Sequence, residues 1–552
     1  MGAYLNPGSD SFAEAVGSSV YVDKTTMVRH LNSVARTKRK YVSVSRPRRF
    51  GKTMAADMVC AYYGRGTDAR QLFEGLGLAR TEPVRRATGE SLSWDAYLGA
   101  FDVVHVTVTE FLRQGKPITA CIDRMQKLVA RELVREYPKA DYFDTDDLAL
   151  TMSDAYEHTG RQFVVVIDEW DAPMRERAHD EEGQRAYLDF LRDWLKDKRY
   201  VALAYMTGIL PIKKYGVHSA LNMFDEYSMV RPLQLAEYTG FTETEVRALC
   251  ETFHMDFETV KAWYDGYEVT GVVPVERRGF GDVPPRYSLY APLSVASAVE
   301  SGEVDSYWGG TETYEALAEY VRMDFDGLKQ KVATLMDGGR VRARLTTYQN
   351  DMATFRSADD VIALLVHLGY LGWDSRAGEA FVPNHEVMGV FRDSTSGPAW
   401  DLAFREYETS KALVRATWEA DSEAVAAALE AAHDRADNKT YNSEAALSYA
   451  VRLAYYAALR WYTEAVELDS GRGYADIAYL PSPRHPGIPA LVVELKWNRD
   501  ARTALDQIRN RNYPARLAHY AGNLLLVGVS YDASARAGTA EHKRHSCAIE
   551  RA

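Results

Sequence analysis

The sequence predicts an α/β protein that begins with a doubly wound sheet of parallel strands. Over the first 230 or so residues, short β-rich runs alternate with helical patterns, and the runs are Tyr41–Ser45, Phe101–Thr107, Phe163–Ile167 and Tyr200–Thr207. Several runs are apolar throughout, which is typical of parallel strands covered by helices on both faces. At 552 residues the chain is too long for one ordinary core, so we expect about two to four domains.

The composition indicates an ordinary folded protein. Hydrophobic residues make up 46% and charged residues 26%, and a net charge of −12 argues against a surface that is basic throughout. A local basic groove for nucleic acid is compatible with that charge. The four cysteines form no C-x-x-C pair, which indicates neither a zinc ribbon nor a disulfide framework. Because the sequence shows neither a secretory signal pattern nor a long apolar run, we expect a cytoplasmic protein with no membrane partner.

The segment RPRRFGKT, residues Arg46 to Thr53, connects the first strand to a helical pattern that begins near Met54. A strand, a loop and a helix in this order are what a phosphate-binding loop needs. Backbone N–H groups at the helix start face an anion, Lys52 adds a positive charge, and Thr53 can hold Mg²⁺. The general motif has a glycine where this chain has Arg46.

A second segment, FVVVIDE, places Asp168 and Glu169 directly after an apolar run. A buried strand would carry Asp168 to the carboxyl edge of the sheet, where ligands bind in open α/β folds. There Asp168 would orient the Mg²⁺ shell, Glu169 would polarise the attacking water, and Asp171 would assist. A lone pair of this kind usually ends a buried strand before a helix cap. Here it follows a Lys-Thr loop by about 115 residues, which favours nucleotide binding.

The run Val201–Gly208 also ends in a polar residue, Thr207. At that position a sensor residue would meet the γ-phosphate or the attacking water. A simple helix cap before Pro211 explains the spacing equally well.

Residues 238–400 predict a mostly helical middle segment that would act as a lid. A helix near Asp359 is followed by two short β-rich runs, Tyr370–Trp373 and Ala380–Pro383, separated by a turn. A helix and a two-stranded hairpin in this order resemble a winged-helix unit, and a plain packing module fits as well. The segment DSTSGP from Asp393 reads as a linker into further helices.

Four strings together resemble the AAA-ATPase-like domain of bacterial and archaeal P-loop proteins, namely YVDKT from Tyr21, RPRRFGKT, VVVIDEWDAP and TGILPI. In that family arginine commonly stands at the position of the first loop glycine, so Arg46 matches the family pattern. The resemblance covers roughly residues 5–310 and implies a P-loop domain over residues 1–237 that binds and hydrolyses MgATP. The residues it implies for the nucleotide and its metal are Arg46, Arg49, Phe50, Gly51, Lys52, Thr53, Asp168 and Thr207, with Glu169 catalytic.

Three arginines, Arg46, Arg48 and Arg49, are unusual so near a phosphate site. One of them could neutralise the γ-phosphate, either in cis or from a neighbouring subunit. Alternatively, they could form salt bridges with the acidic residues between Asp168 and Asp171. The sequence leaves the oligomeric state open, a homo-oligomer included.

The last part of the chain carries a second constellation of charged residues. Asp476 lies in one β-rich run, and a turn separates it from the run Ala490–Trp497. Because residues two apart on a strand share a face, Glu494 and Lys496 should be neighbours, with Asp476 beside them. Two carboxylates and the carbonyl of Leu495 suit Mg²⁺ or Mn²⁺, and such a metal activates water for phosphodiester hydrolysis.

These residues usually mark a solvated face of an amphipathic strand, but here they interrupt an apolar strand that we expect to be central, where unpaired charge is costly. Asp476, Glu494 and Lys496 match the motif of a PD-(D/E)XK nuclease domain one by one, and Glu444 and Gln507 occupy plausible helix positions. The resemblance implies a restriction-endonuclease-like α/β domain over residues 401–552. A helix from Arg502 with several arginines could grip a nucleic-acid backbone.

The two resemblances together imply an ATP-regulated, metal-dependent nuclease that acts on DNA, or on RNA, and the pairing fits defence against phage or other foreign DNA. The alternative is a nucleotide-switched DNA-binding or regulatory protein whose nuclease fold is catalytically inactive.

Overall fold

A computed structural model describes residues 2–66, 68–86, 88–212, 221–273, 282–308, 313–323, 325, 327–350, 352–395, 398–433, 444–469, 474–510, 517, 520, 522–532 and 545–552. The chain forms two compact units, the first made of Met1–Asp326 with Arg342–Ser394 and the second of Gly327–Val341 with Thr395–Ala552. The second unit therefore begins its main part inside the predicted linker DSTSGP. The predicted boundary between residues 237 and 238 does not separate two units, because most of the middle segment packs within the first.

The helices of the described residues alternate with strands in the first unit and cluster before the sheet of the second. They are α1 (Asp10–Val16), α2 (Met27–Val34), α3 (Lys52–Tyr63), α4 (Arg70–Glu74), α5 (Ile118–Glu136), α6 (Leu148–Thr159), α7 (Ala172–Glu176), α8 (Glu181–Leu195), α9 (Glu243–Phe253), α10 (Phe257–Tyr264), α11 (Pro292–Ser301), α12 (Thr313–Val321), α13 (Leu328–Met336), α14 (Ala358–Leu368), α15 (His385–Ser394), α16 (Pro398–Trp418), α17 (Ser422–His433), α18 (Glu444–Ala454) and α19 (Ala501–Asn510).

The strands are short in the middle segment and longest in the two main sheets. They are β1 (Tyr41–Ser45), β2 (Val84–Arg85), β3 (Ser91–Leu92), β4 (Asp102–Thr107), β5 (Phe163–Asp168), β6 (Val201–Gly208), β7 (Asp225–Tyr227), β8 (Phe241–Thr242), β9 (Tyr267–Thr270), β10 (Arg286–Tyr290), β11 (Val341–Arg342), β12 (Gly372–Asp374), β13 (Glu379–Phe381), β14 (Tyr462–Asp469), β15 (Tyr474–Pro481), β16 (Ala490–Trp497), β17 (Leu524–Tyr531) and β18 (His545–Arg551).

The central sheet of the first unit has the order β4-β5-β6-β1-β7, and every neighbouring pair is parallel. This confirms the predicted α/β class with a parallel sheet. All residues of β1, β5 and β6 are buried, which explains why β5 and β6 are apolar up to their polar carboxyl ends instead of alternating. Since parallel strands end at the same edge, the carboxyl ends of β1, β5 and β6 lie side by side.

In the middle segment, α14 is followed by a hairpin in which β12 pairs with β13 in antiparallel register, with Trp373 opposite Ala380. The helix and hairpin that the sequence predicts near Asp359 are therefore present. They belong to the first unit, together with the phosphate-binding loop.

The second unit contains a mixed five-stranded sheet of order β14-β15-β16-β17-β18. Only β16 and β17 are parallel, and the other neighbouring pairs are antiparallel. Leu491, Val493 and Leu495 pack into one core with α17 and α18, whereas Ala490 and Val492 pack with Leu505 and Ile508 of α19. Alternation along β16 therefore places Glu494 and Lys496 on the face that carries α19.

Candidate functional site

The loop Arg46–Gly51 connects the end of β1 to the start of α3. Gly51 precedes the helix with a φ of +79°, and no atom lies within 4 Å of a Cβ placed on it. Glycine is favoured there by the left-handed backbone, and crowding plays no part. The loop leads directly into the first turn of α3, where free N–H groups make a site for an anion.

Lys52, the first residue of α3, is buried against this loop. Its Nζ donates a hydrogen bond of 2.7 Å to the carbonyl oxygen of Pro47. Burial lowers the pKa of Lys52 to about 8, while the nearby carboxylates of Asp171 and Asp168 act in the opposite direction. The ammonium group thus already lies inside the loop, where an anionic ligand would restore an ordinary pKa.

Asp168 connects the loop to two further strands. Its Oδ2 accepts a hydrogen bond of 2.7 Å from Thr53 Oγ1, and its Oδ1 accepts from Thr207 Oγ1 and from the backbone N–H of Glu169. Because β6 lies between β1 and β5, Thr207 at its end reaches the same carboxylate. The structure therefore brings together Thr53, Asp168 and Thr207 from three separate segments.

Glu169 has a φ of +52°, in the left-handed region that non-glycine residues seldom adopt. This turn directs the chain out of β5, and the Glu169 side chain remains 38% exposed. Asp171 is fully buried, and its Oδ2 accepts from the N–H groups of Ile209 and Leu210 at 3.0 and 2.8 Å. Asp171 therefore holds the turn that follows β6.

Arg175 is the cation that pairs with this acidic segment. Its Nε lies 3.2 Å from Asp171 Oδ2, and its Nη2 lies 3.6 Å from Glu169 Oε2. The sequence offered such pairs as an alternative role for the loop arginines and did not identify Arg175. A spacing of four residues from Asp171 on a short helix was the signal that could have identified it.

These groups surround one cleft of about 830 Å³ in the first unit, which is in the size range of nucleotide and drug-sized ligand sites. Its lining contains polar and apolar residues, which we call the polar wall and the apolar wall. The polar wall contains Arg48, Arg49, Gly51, Lys52, Thr53, Glu169, Arg175 and Glu176, and the apolar wall contains Val20, Met54, Ile209, Phe241, Pro292, Leu293, Ala296, Trp308, Met352, Leu368 and Tyr370.

Arg46 differs from its predicted role at the nucleotide. Its side chain is fully buried, and its guanidinium donates to the carbonyl oxygens of Ser45, Tyr227 and Leu235 at 2.9, 2.8 and 3.2 Å. Burial lowers its pKa to about 10, so it stays cationic at neutral pH. Arg46 stabilises the end of β1 against β7, and it does not line the cleft.

The side chains of two other loop residues that were predicted to bind the nucleotide contact protein groups. Phe50 is buried and packs edge-on against Tyr267, with ring centroids 5.2 Å apart, so only its backbone can serve the loop. Arg49 lines the cleft but donates to the carbonyl oxygens of Tyr307 and Trp308 at 2.7 and 3.3 Å.

In the second unit, the predicted charged residues meet on one face of the sheet. Lys496 Nζ donates to Glu494 Oε1 at 3.1 Å and to the carbonyl oxygen of Leu495 at 2.9 Å. Gln507 of α19 donates to the same Glu494 oxygen. Asp476 Oδ2 accepts from the N–H of Leu495 at 2.7 Å. Strand β15, strand β16 and helix α19 thus contribute to a single polar cluster.

The members of this cluster differ in how deeply they are buried. Glu494 is 1% exposed and Lys496 is 7% exposed, whereas Asp476 is half-buried. Helix α18 begins at Glu444, but the Glu444 side chain lies outside the described residues, as does Arg511. No group of three His, Cys, Asp or Glu side chains suited to a metal occurs in the part of the chain that the structure describes.

Residues 8–218 match a family model described as Predicted AAA-ATPase. This is the segment that contains the loop, Asp168 and Thr207. An uncharacterized protein from the vnfD 5′ region of Azotobacter chroococcum mcd 1 is 27% identical over 331 residues, which cover 57% of this chain and 55% of that protein. The chain therefore spans about half the length of this curated relative.

Several solved structures overlap 71% of the chain at low similarity. The Aeropyrum pernix ORC1 protein in complex with DNA is 14% identical with a TM-score of 0.24, and 98% of it is covered. The Aeropyrum pernix ORC2 protein in ADPNP–ADP complexes is 11% identical with a TM-score of 0.30, and 97% of it is covered. TM-scores this low do not establish a shared overall fold. No helix among the described residues is both long and apolar enough to span a membrane.

Proposed function

We propose that the first unit binds and hydrolyses ATP. The observation that carries this proposal is the hydrogen bond between Thr53 and Asp168, 115 residues apart in sequence. It joins the start of α3 to the end of β5 at the cleft that Lys52 also lines. The match of residues 8–218 to the Predicted AAA-ATPase family supports the same conclusion.

The roles follow from the position of each group. Lys52 would exchange its bond to the Pro47 carbonyl for the β- and γ-phosphate oxygens, and the N–H groups at the start of α3 would bind the same oxygens. The Thr53 hydroxyl and the Asp168 carboxylate are hard oxygen donors, a set that fits Mg²⁺. Mg²⁺ bound there would neutralise charge on the β- and γ-phosphates.

Hydrolysis requires a water aligned with the γ-phosphorus. Glu169 lines the cleft and is accessible to solvent, so it can orient that water and accept its proton. The water oxygen forms a bond to the γ-phosphorus while the bond to the β,γ-bridging oxygen breaks, which yields ADP and phosphate. Thr207 would hold Asp168 in place through its hydroxyl donor.

A smaller apolar pocket supports a place for the adenine base. Tyr21, Met58 and Tyr238 line it, and it shares Gly51 and Met54 with the cleft. An apolar pocket with aromatic walls suits a flat base. Asp23, two residues after Tyr21, does not line this pocket, and its carboxylate accepts from the N–H groups of Thr25 and Gly77.

ATP binding by the full chain, measured by calorimetry with Mg²⁺, tests this proposal. Lys52→Ala should weaken binding at least tenfold, since it removes a charge-assisted contact. Lys38→Ala, at an exposed position outside the cleft, should leave affinity unchanged. Equal affinity in wild type and Lys52→Ala, or no binding by either, would refute the assignment of the loop. GTP in place of ATP tests the choice of base.

We further propose that the second unit is a metal-dependent nuclease. The supporting observation is the convergence of Asp476, Glu494, Lys496 and Gln507 on one face of the sheet. Burying a carboxylate and an ammonium together in an apolar strand costs free energy of folding. Such a pair therefore indicates a functional role. This cluster agrees with the PD-(D/E)XK motif that the sequence resembles.

The donor set at this cluster fits Mg²⁺ or Mn²⁺. The half-buried Asp476, Glu494 and the Leu495 carbonyl provide hard oxygen donors. A divalent metal held by them would lower the pKa of a bound water and stabilise charge on the phosphate. Lys496 would orient the attacking water or the scissile phosphate, and Gln507 would hold Glu494 in its orientation. Nucleic acid, with DNA as the first candidate, would approach along α19.

Cleavage assays separate this proposal from a catalytically inactive, DNA-binding fold. Linear and circular DNA and RNA would be incubated with Mg²⁺ or Mn²⁺, with and without ATP. Glu494→Gln should abolish cleavage and retain binding. Glu464→Gln removes a carboxylate on β14 that pairs with Arg452, so it serves as the matched control and should cut normally. Binding without cleavage in wild type would favour the inactive fold, and equal cutting by Glu494→Gln would refute the assigned site.

A further inference from the structure

Arg175 is the least explained charged group at the cleft of the first unit. It lines that cleft together with Lys52 and Thr53, yet its side chain is only 8% exposed. Among the described residues, its Nη2 has no hydrogen-bond partner, because the nearest Glu169 oxygen is 3.6 Å away. A buried guanidinium donor without a partner is costly, which points to a missing anionic ligand.

The guanidinium is anchored at one side only. Its Nε contacts Asp171 Oδ2 at 3.2 Å, and that oxygen is itself held by the N–H groups of Ile209 and Leu210. Asp171 therefore forms a fixed point, and rotation about this contact can direct Nη2 either toward Glu169 or into the cleft. Of the three loop arginines, Arg46 and Arg49 donate to backbone carbonyls, and Arg48 also lines the cleft.

We propose that Arg175 binds the terminal phosphate of a nucleoside triphosphate in cis and releases Glu169 when it does so. This rests on the proposed function of the cleft. Without nucleotide, the Glu169 carboxylate is paired with Arg175 and is a weaker acceptor for a water proton. A terminal phosphate carries more negative charge than one carboxylate, so it attracts Nη2 away from Glu169. A diphosphate lacks that group and leaves the ion pair intact.

The distinguishing property is selectivity for a triphosphate over a diphosphate. Calorimetry on the full chain with Mg²⁺ would compare ADP with the non-hydrolysable β,γ-imido analogue of ATP. Arg175→Gln should weaken binding of the analogue by about tenfold to a hundredfold, the range for one charge-assisted hydrogen bond. Its ADP affinity should stay within about twofold of wild type. Arg192→Gln, which removes an exposed arginine of α8 paired with Asp189, should change neither affinity.

A double-mutant cycle tests the release of Glu169. Glu169→Gln frees Arg175 from its carboxylate partner, so this variant should bind the analogue several-fold more tightly than wild type. The gain should disappear when Arg175→Gln is added. If Arg175→Gln lowers the thermal midpoint and fails to fold, Arg175→Lys retains the charge with fewer donors and should show an intermediate loss of selectivity.

Each outcome decides between the two proposals. Equal loss of ADP and analogue affinity in Arg175→Gln, or no loss of either, overturns the role of Arg175 and leaves ATP binding intact. A wild-type chain that binds neither nucleotide, or a Lys52→Ala variant that binds both normally, overturns the proposed function and this inference with it.

Discussion

Replacing Arg46 by alanine tests whether this arginine stabilises the fold or contacts the nucleotide. The sequence pattern places it in the phosphate-binding loop, at the position of a glycine in the general motif. In the structure its guanidinium donates three hydrogen bonds to the carbonyls of Ser45, Tyr227 and Leu235. The structure therefore predicts a loss of stability, and only an indirect effect on nucleotide binding.

The magnitude follows from the three acceptors. Each buried carbonyl that loses its donor costs about 1–3 kcal/mol, and removal of the buried cation offsets part of this cost. For three carbonyls, less that offset, we expect Arg46→Ala to destabilise the first unit by about 3–5 kcal/mol. Arg46→Gly, which restores the general motif, should be at least as destabilising.

Hydrogen exchange measured by mass spectrometry is the appropriate assay, because it reports the unfolding free energy of the first unit separately. The slowest amides of β1 and β5 should exchange with an unfolding free energy about 3–5 kcal/mol lower in Arg46→Ala. Arg39→Ala is the matched control, since Arg39 is 59% exposed and pairs with Asp225 on the surface. Its loss should be below about 1 kcal/mol.

Two results would refute this reasoning. One is an exchange free energy in Arg46→Ala that stays within about 1 kcal/mol of wild type. The other is a tenfold or greater loss of ATP affinity in a variant whose stability is unchanged. The first would show that the guanidinium does not stabilise the fold, and the second would show that it contacts the nucleotide, as the resemblance implies.

Three further predictions concern pH, the loop and the strand end. Burial lowers the pKa of His30 from 6.5 to about 4. As the pH falls, His30 therefore takes up a proton at a higher pH in the unfolded chain than in the folded one. Unfolding free energy should therefore fall by roughly 3 kcal/mol as pH drops from 6.5 to 4. In hydrogen-exchange measurements His30→Gln should flatten this slope, and an unchanged slope would contradict the assignment. A Cβ added at Gly369, where φ is +89°, would lie 2.6 Å from the side chain of Pro47 in the phosphate-binding loop. Gly378, where φ is +67°, has open space around it. Gly369→Ala should thus weaken ATP binding in calorimetry, and Gly378→Ala should cost only the backbone strain of about 1–2 kcal/mol; equal ATP affinity in both variants would argue against contact with the loop. Thr207→Val removes a donor to Asp168, so ATP hydrolysis, measured as phosphate released, should slow about tenfold with ADP affinity retained. Thr207→Ser keeps the hydroxyl and should behave as wild type. A normal rate in Thr207→Val would show that Thr207 has no role at the site.

Much of the secondary structure near the site could be predicted from local patterns. Strand β1 spans Tyr41–Ser45 as predicted, and the run predicted from Phe163 to Ile167 forms β5, Phe163–Asp168. Both segments are rich in β-branched and aromatic residues over a length that suits a buried strand, so their sequence is informative without any partner. The face of β16 that carries Glu494 and Lys496 also follows from strand alternation alone.

Side-chain partners across long sequence separations could not be predicted in this way. The carbonyl of Tyr227 that binds Arg46 lies 181 residues away, and the Tyr307 carbonyl that binds Arg49 lies 258 residues away. Nothing in the local pattern of RPRRFGKT distinguishes an arginine that faces a phosphate from one that holds the scaffold. The direction of each side chain depends on loop backbone angles and on packing from other segments.

The sequence by itself determined the parallel α/β class, the position of the phosphate-binding loop and the polar residues at the ends of β5 and β6. Each of these depends on residue type and periodicity over a few positions. Only the tertiary structure decided which cations lie at the cleft, because charges are placed by the burial and hydrogen bonding of distant segments. It buried Arg46 in the core, bound Arg49 to backbone carbonyls, and placed Arg175 at the cleft beside Glu169.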